Sequence, residues 1–256
     1  MIDDETFSLK TRDDVHKFEV MAQKYMTDRA SMPLTHINLI QAFDYCSRYK
    51  NNEKLFAAIF DIYVNFILIF SDLTSSGGIW NNNFSKGKLE GGTILDSYEK
   101  FQGKLDKHRY DTSFIFRYRA IWDKLMGFIV LLAVPEQYEK FNNDLSKKKA
   151  FKKIKFSDGF LPDGFQKLII DHLQDFDDKF RTAEAHGTGR LRKWSFSMQS
   201  MDKNPSIELM GYWNVLNSFM RDTGNFFNPS DKPSEKSLII VDTLRSTNLP
   251  TNQFNE

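Results

Sequence analysis

"FIFRYRAIWDKLMGFIVLL", Phe114 to Leu132, decides the fold class. Its apolar residues Phe114, Tyr118, Ile121, Leu125, Phe128 and Leu132 follow one another at alternating spacings of four and three. That spacing returns every side chain to one stripe of a helix, and such a stripe is the seam of a helix bundle. A strand would alternate with period two. Outward from this stretch the helical period recurs. Asp13 to Met26 reads as a first helix, and Thr35 caps a second through Leu39, Ile40, Phe43 and Cys46. Asn52 caps a third, Ile94 to Leu105 reads as a fourth, and Asp111 caps the seam helix itself. Phe165, Leu168, Ile169, Leu173, Phe176 and Phe180 share one apolar face. Asn204-Pro205 opens a last long helix with the stripe Leu209, Trp213, Leu216 and Met220. Ser75 to Thr93, with its Gly-Gly pairs, reads as a long loop. The expectation is an all-α multi-helix bundle. It comprises one enlarged helical domain over 1–227 with an extra N-terminal helix, then a linker and irregular tail over 228–256.

The formal net charge of +1 gives no global field for nucleic acid or membrane, so polyanion binding must come from local patches. A hydrophobic share of 41% with 14% aromatics is ample for a core. Cys46 is the single cysteine, which excludes an internal disulfide framework and a Cys-based zinc site. The start, MIDDETFSLK, lacks the basic and apolar regions of a signal peptide. A cytoplasmic protein is the expectation. "LFAAIFDIYVNFILIF", Leu55 to Phe70, is apolar nearly all round but shorter than the ~20 residues of a spanning helix. It reads as a central buried helix, with Asp61 and Asn65 four apart as a hydrogen-bonded pair inside it. No membrane partner is expected.

"SKKKAFKKIKF" places six lysines between Lys147 and Lys155. It reads as a solvated face, or as an RNA-backbone patch if another feature calls for nucleic acid. Asp13-x-x-His16 is half of a bundle metal motif without its second copy. His172 falls on an apolar face as a core histidine, and His108 stands between helices. The glycines of "HGTGR" do not make a P-loop. No cofactor and no metal is expected.

The remaining stretch is "FRTAEAHGTGRLRKW", Phe180 to Trp194. Cleaving RNA without a metal needs a group to take the 2′-hydroxyl proton and one to protonate the leaving 5′-oxygen. Histidine does either near neutral pH. A permanent cation must offset charge on the phosphoryl oxygens, and arginine offers a planar fork of donors. Arg181 ends a strongly amphipathic helix and His186 follows in a glycine-loosened turn. Arg190, Arg192 and Lys193 supply cations beside it, and Trp194 an aromatic face for a base.

Arg181-Thr-Ala-Glu-Ala-His186, before the last helix of an all-α bundle, resembles the Arg-x4–6-His signature of the HEPN superfamily. The resemblance implies a metal-independent RNA endonuclease leaving 2′,3′-cyclic phosphate ends, in a toxin or host-defence role. It also implies a homodimer with a site built across the two-fold interface, and an antitoxin or regulatory protein as a further partner. By position Arg181 would stabilise the phosphate, His186 would be the acid–base residue and Glu184 would orient it. Arg190, Arg192, Lys193 and Trp194 would hold the RNA. Thr182 departs from the Asn, Asp or His that often follows the arginine, which puts catalysis in question more than fold. Arg29 to His36 fits the same pattern but spans a proline-broken connection without a basic cluster. Two other readings stay open. One is a non-catalytic helical module binding RNA or a protein partner, and the other is a capped helix end with a salt-bridging arginine.

Overall fold

The computed structural model describes residues 11–29, 37–47, 52–79, 98–158, 160–161, 163–186, 189, 191–192 and 206–222. Of these 88% are helical and none is in a strand, so the chain is all-α. The helices are α1 (Arg12–Arg29), α2 (Leu39–Cys46), α3 (Asn52–Ile79), α4 (Tyr98–Ala133), α5 (Tyr138–Asn143), α6 (Lys147–Lys153), α7 (Phe165–Phe176), α8 (Thr182–Ala185) and α9 (Ser206–Asp222). A 3-10 turn at Pro135–Gln137 precedes α5, and a π-helical turn at Asp177–Arg181 joins α7 to α8. Asn204-Pro205, the expected linker and tail over 228–256 and most of the expected Ser75–Thr93 loop lie outside the described residues.

The seam stripe is the spine. Phe114, Tyr118, Ile121, Leu125 and Phe128 are all buried, as are Ile115, Trp122 and Met126 beside them. Two flanks of α4 are therefore covered. α3 packs antiparallel on one: Asp61 meets Lys124 at 2.7 Å, and Asp72 meets Arg117 at 3.2 Å. Ser76 donates to Asp111 Oδ1 at 2.6 Å. α7 runs antiparallel on the other, with Tyr118 against His172 and Arg119 against Asp177. α9 closes the bundle, placing Trp213 against Phe66, Tyr212 against Phe176 and Phe219 against Trp122. α1 lies along α3 through Phe18–Phe60 and Tyr25–Ser71.

Three expectations are corrected. α4 is one unbroken helix from Tyr98, so Asp111 sits in its interior rather than capping it. A buried Asp is tolerated there because Lys107, one turn earlier, donates to it at 2.9 Å and Ser76 supplies a second donor. α3 likewise continues through Ser75 to Ile79, and Ser76 is buried. Asp61 is not inside: it is exposed beside Lys124, while Asn65 donates its amide to the Asp61 backbone carbonyl at 2.8 Å. The apolar run is also longer than it reads. Over Glu53–Gly77, 25 residues, α3 has the length and composition of a spanning helix, and 33% of an 18-residue apolar stretch within it is buried. Among the other expectations, Asp13 pairs with Lys17 rather than His16. Arg29 lies over the Tyr25 ring, and His36 is outside the described residues.

His172 is buried among Tyr118, Trp122 and Tyr212, and its Nε2 shares a 2.8 Å hydrogen bond with the Tyr118 hydroxyl. Burial pushes its pKa down to about 4 from an ordinary 6.5. The folded value lies below the unfolded one. The stabilising contribution is therefore complete above pH 6.5 and is lost as pH falls toward 4. Urea unfolding compared at pH 7 and pH 5 is expected to show this loss, approaching about 1.4 kcal/mol per pH unit. His172→Gln, which retains a polar group opposite Tyr118, is expected to remove that component; an unchanged pH dependence would refute the assignment.

Candidate functional site

The segment that carries the Arg-x4-His pattern starts in α7, whose inner face is Phe165, Ile169, His172, Leu173 and Phe176, all buried. α7 does not end at Phe176. The chain widens into the π turn, where the Thr182 N–H donates to the Asp177 carbonyl five residues back. Such turns arise where side chains outside the helix dictate the backbone path. Here Asp177 and Phe180 both face inward, Asp177 toward charge and Phe180 into the core.

Three cations from three elements converge on the buried Asp177 carboxylate. Arg119 of α4 places Nε 3.2 Å from Oδ1 and donates to Oδ2 at 3.4 Å. Lys148 of α6 lies 3.0 Å from Oδ2, and Arg181 approaches Oδ1 at 3.7 Å. Arg119 is itself buried and also bonds Asp123 one turn along. Burial raises the Asp123 carboxyl above its usual range, and Arg119 only partly offsets this. The group thus sets three cations against two carboxylates. Its outermost member is Arg181, whose side chain remains 46% exposed.

One turn beyond, His186 closes α8 with its N–H on the Thr182 carbonyl at 3.1 Å and its side chain exposed. Arg181 and His186 are five residues apart, which on a helix separates their directions by about 140°. The two side chains therefore leave one segment on different sides.

Glu184 points the other way. It is 4% exposed, and its Oε1 accepts the Leu191 N–H at 2.9 Å. The carboxylate thus holds the Leu191 backbone rather than orienting His186, and its Oε2 has no hydrogen-bond partner among the described residues. It lies so close to Gly189 that a methyl group there would sit 1.9 Å from Oε1 and 2.0 Å from Cδ. The second glycine of "HGTGR" is therefore a close-approach glycine. His108, half-buried on α4 rather than between helices, feels this carboxylate too. Burial lowers its pKa, Glu184 and Asp111 oppose that, and Arg192 adds to it. Arg192 is exposed; Arg190, Lys193 and Trp194 lie outside the described residues.

Sequence reasoning missed Arg119, Asp123, Asp177 and Lys148. Two of their pairings were visible as acid–base spacings of four: Arg119 to Asp123, and Asp177 to Arg181. Among the described residues, no group of three or more His, Cys, Asp or Glu side chains is placed to hold a metal ion.

The Glu184–Gly189 contact sets up a double-mutant test. Gly189→Ala alone is expected to destabilise by about 1–3 kcal/mol through overpacking. In a Glu184→Ala background the three atoms nearest that methyl are gone, so the pair is expected to be less damaging than the sum of the singles. Urea midpoints of the four proteins measure this, and strict additivity would contradict the contact. In comparison with known proteins, the chain matches no family model, no curated protein and no solved structure.

Proposed function

We propose that this chain is an RNA endonuclease of HEPN type, working without a metal and as a homodimer. The observation that carries the reading is the pairing of a fixed cation with a solvent-facing imidazole. Arg181 is held by Asp177 yet half exposed, and His186 is exposed one turn further on. In this mechanism His186 takes the proton of an RNA 2′-hydroxyl. The 2′-oxygen then attacks the adjacent phosphorus while the bond to the 5′-oxygen breaks. Arg181 neutralises charge on the phosphoryl oxygens as the 2′,3′-cyclic phosphate forms. A second imidazole in protonated form supplies a proton to the departing 5′-oxygen. The separation of about 140° between Arg181 and His186 favours a site shared by two copies, each giving its arginine to the other's histidine. That arrangement also brings two imidazoles to one cleft.

A non-catalytic module that binds RNA or a protein such as an antitoxin is the second reading. It is favoured by Glu184, which is engaged with Leu191 and leaves His186 without the expected orienting carboxylate.

The deciding experiment incubates the protein with single-stranded RNA in EDTA beside Arg181→Ala and His186→Ala. Wild type is expected to cut and leave cyclic phosphate ends, and each variant to lose roughly 10²-fold or more, the usual share of a general acid–base group. If all proteins leave RNA intact, or all cut it equally, the nuclease reading fails.

A further inference from the structure

Resting on the RNA reading above, we propose that Lys149, Lys152, Lys153 and Lys155 form a backbone-holding surface for single-stranded RNA leading to Arg181. The lysine run divides into two kinds. Lys147 turns back to the end of α5, donating to the carbonyls of Phe141 at 3.2 Å and Asp144 at 2.9 Å. Lys148 bonds Gln174 at 2.7 Å and Asp177 at 3.0 Å. These two are structural. The other four are exposed and form no ion pair among the described residues.

They are not an ordinary solvated face, for two reasons. The first is rigidity: Phe151 and Ile154, interleaved with them, are buried, and Gln166 of α7 donates to both of their carbonyls. The lysines therefore stand on a backbone fixed from beneath. The second is shape. Lys152, Lys153 and Lys155 line one wall of an open cleft of about 660 Å³, whose lining also includes Asp158, Asp163 and Gln166. The two aspartates make no ion pair with the lysines among the described residues. The lysine charge is thus not cancelled by an ion pair among the described residues. α6 ties this wall to the Arg181 group. Lys148 enters the Asp177 cluster, and Lys152 follows on the same helix face, about 6 Å along the axis. A strand leaving Arg181 crosses one helix to reach the cleft.

The test replaces all four lysines with glutamine in the His186→Ala protein, which prevents cleavage, and titrates a labelled 20-nucleotide single-stranded RNA over a range of KCl. With about 0.7 counterions released per phosphate on a single strand, losing four contacts should flatten the log K against log salt slope by about 3. Affinity near 0.1 M salt should fall by at least 10-fold. Lys17→Gln with Lys24→Gln, equally exposed on α1, is the control and should leave both quantities unchanged. An unaltered slope, an equal loss in the control, or the same loss for duplex DNA or anionic vesicles overturns the proposal. If the lysine variant loses RNA affinity while the parent chain cuts no RNA, this surface stands and the nuclease reading falls. If cleavage depends on Arg181 and His186 while the lysine variant binds unchanged, the reverse holds.

Discussion

The Asp177 carboxylate is the constraint on which the candidate site depends. Taking a carboxylate and a guanidinium out of water costs several kcal/mol for each ion, and only close partners recover that. Asp177 and Arg119 are both buried, so neither is tolerable without the other. Lys148 completes the set from α6. Three elements are pinned at one point. The backbone at that point is the π turn from which Arg181 emerges. Removing Asp177 would leave three cations, Arg119, Lys148 and Arg181, facing one another and would free the segment that carries Arg181. A role of this kind lies in specificity of position, since ion pairs in interiors seldom add net stability over apolar packing.

The same logic repeats along α4. In an otherwise apolar seam, Lys107 and Asp111 meet Ser76, Tyr118 meets His172, and Arg119 and Asp123 meet Asp177. Apolar stripes alone permit antiparallel helices to slide by a turn with little loss of buried area. A slide of about 5.4 Å would break all three polar contacts together and strand buried polar groups. The polar layers therefore set the register, and the apolar stripe supplies the adhesion. α9 then closes over this arrangement through Tyr212, which contacts Phe176, Phe180 and Tyr118 at once.

The seam was legible because period is a local property: Phe114 to Phe128 needs no partner to announce a helix. Asp111 misled because aspartate prefers caps, and what keeps it inside is Ser76, 35 residues away. Asp61 misled in the opposite sense. An all-apolar run suggests full burial, yet α3 has more apolar surface than its neighbours cover, and Asp61 lies on its exposed side. In the candidate segment, Glu184 and His186 stand two residues apart, and residues so spaced on a helix point to opposite sides. Their separation was legible in principle. The engagement of Glu184 with Leu191 and Gly189 was not, because it depends on how the glycine turn folds back.

Whether Arg181 is free to meet a phosphate turns on how much of its charge Asp177 cancels. Were the carboxylate facing Arg181 alone, the pair would be neutral and a poor anion site. Arg119 and Lys148 stand closer to the carboxylate, at 3.2 and 3.0 Å against 3.7 Å for Arg181. Asp177 is thus already committed to inner cations, and Arg181 is positioned by it more than neutralised by it. With half its surface in solvent, the guanidinium keeps donors for an incoming oxyanion. A buried carboxylate shared in this way fixes the direction of an arginine while leaving its charge available. That is the property a phosphate-stabilising residue needs.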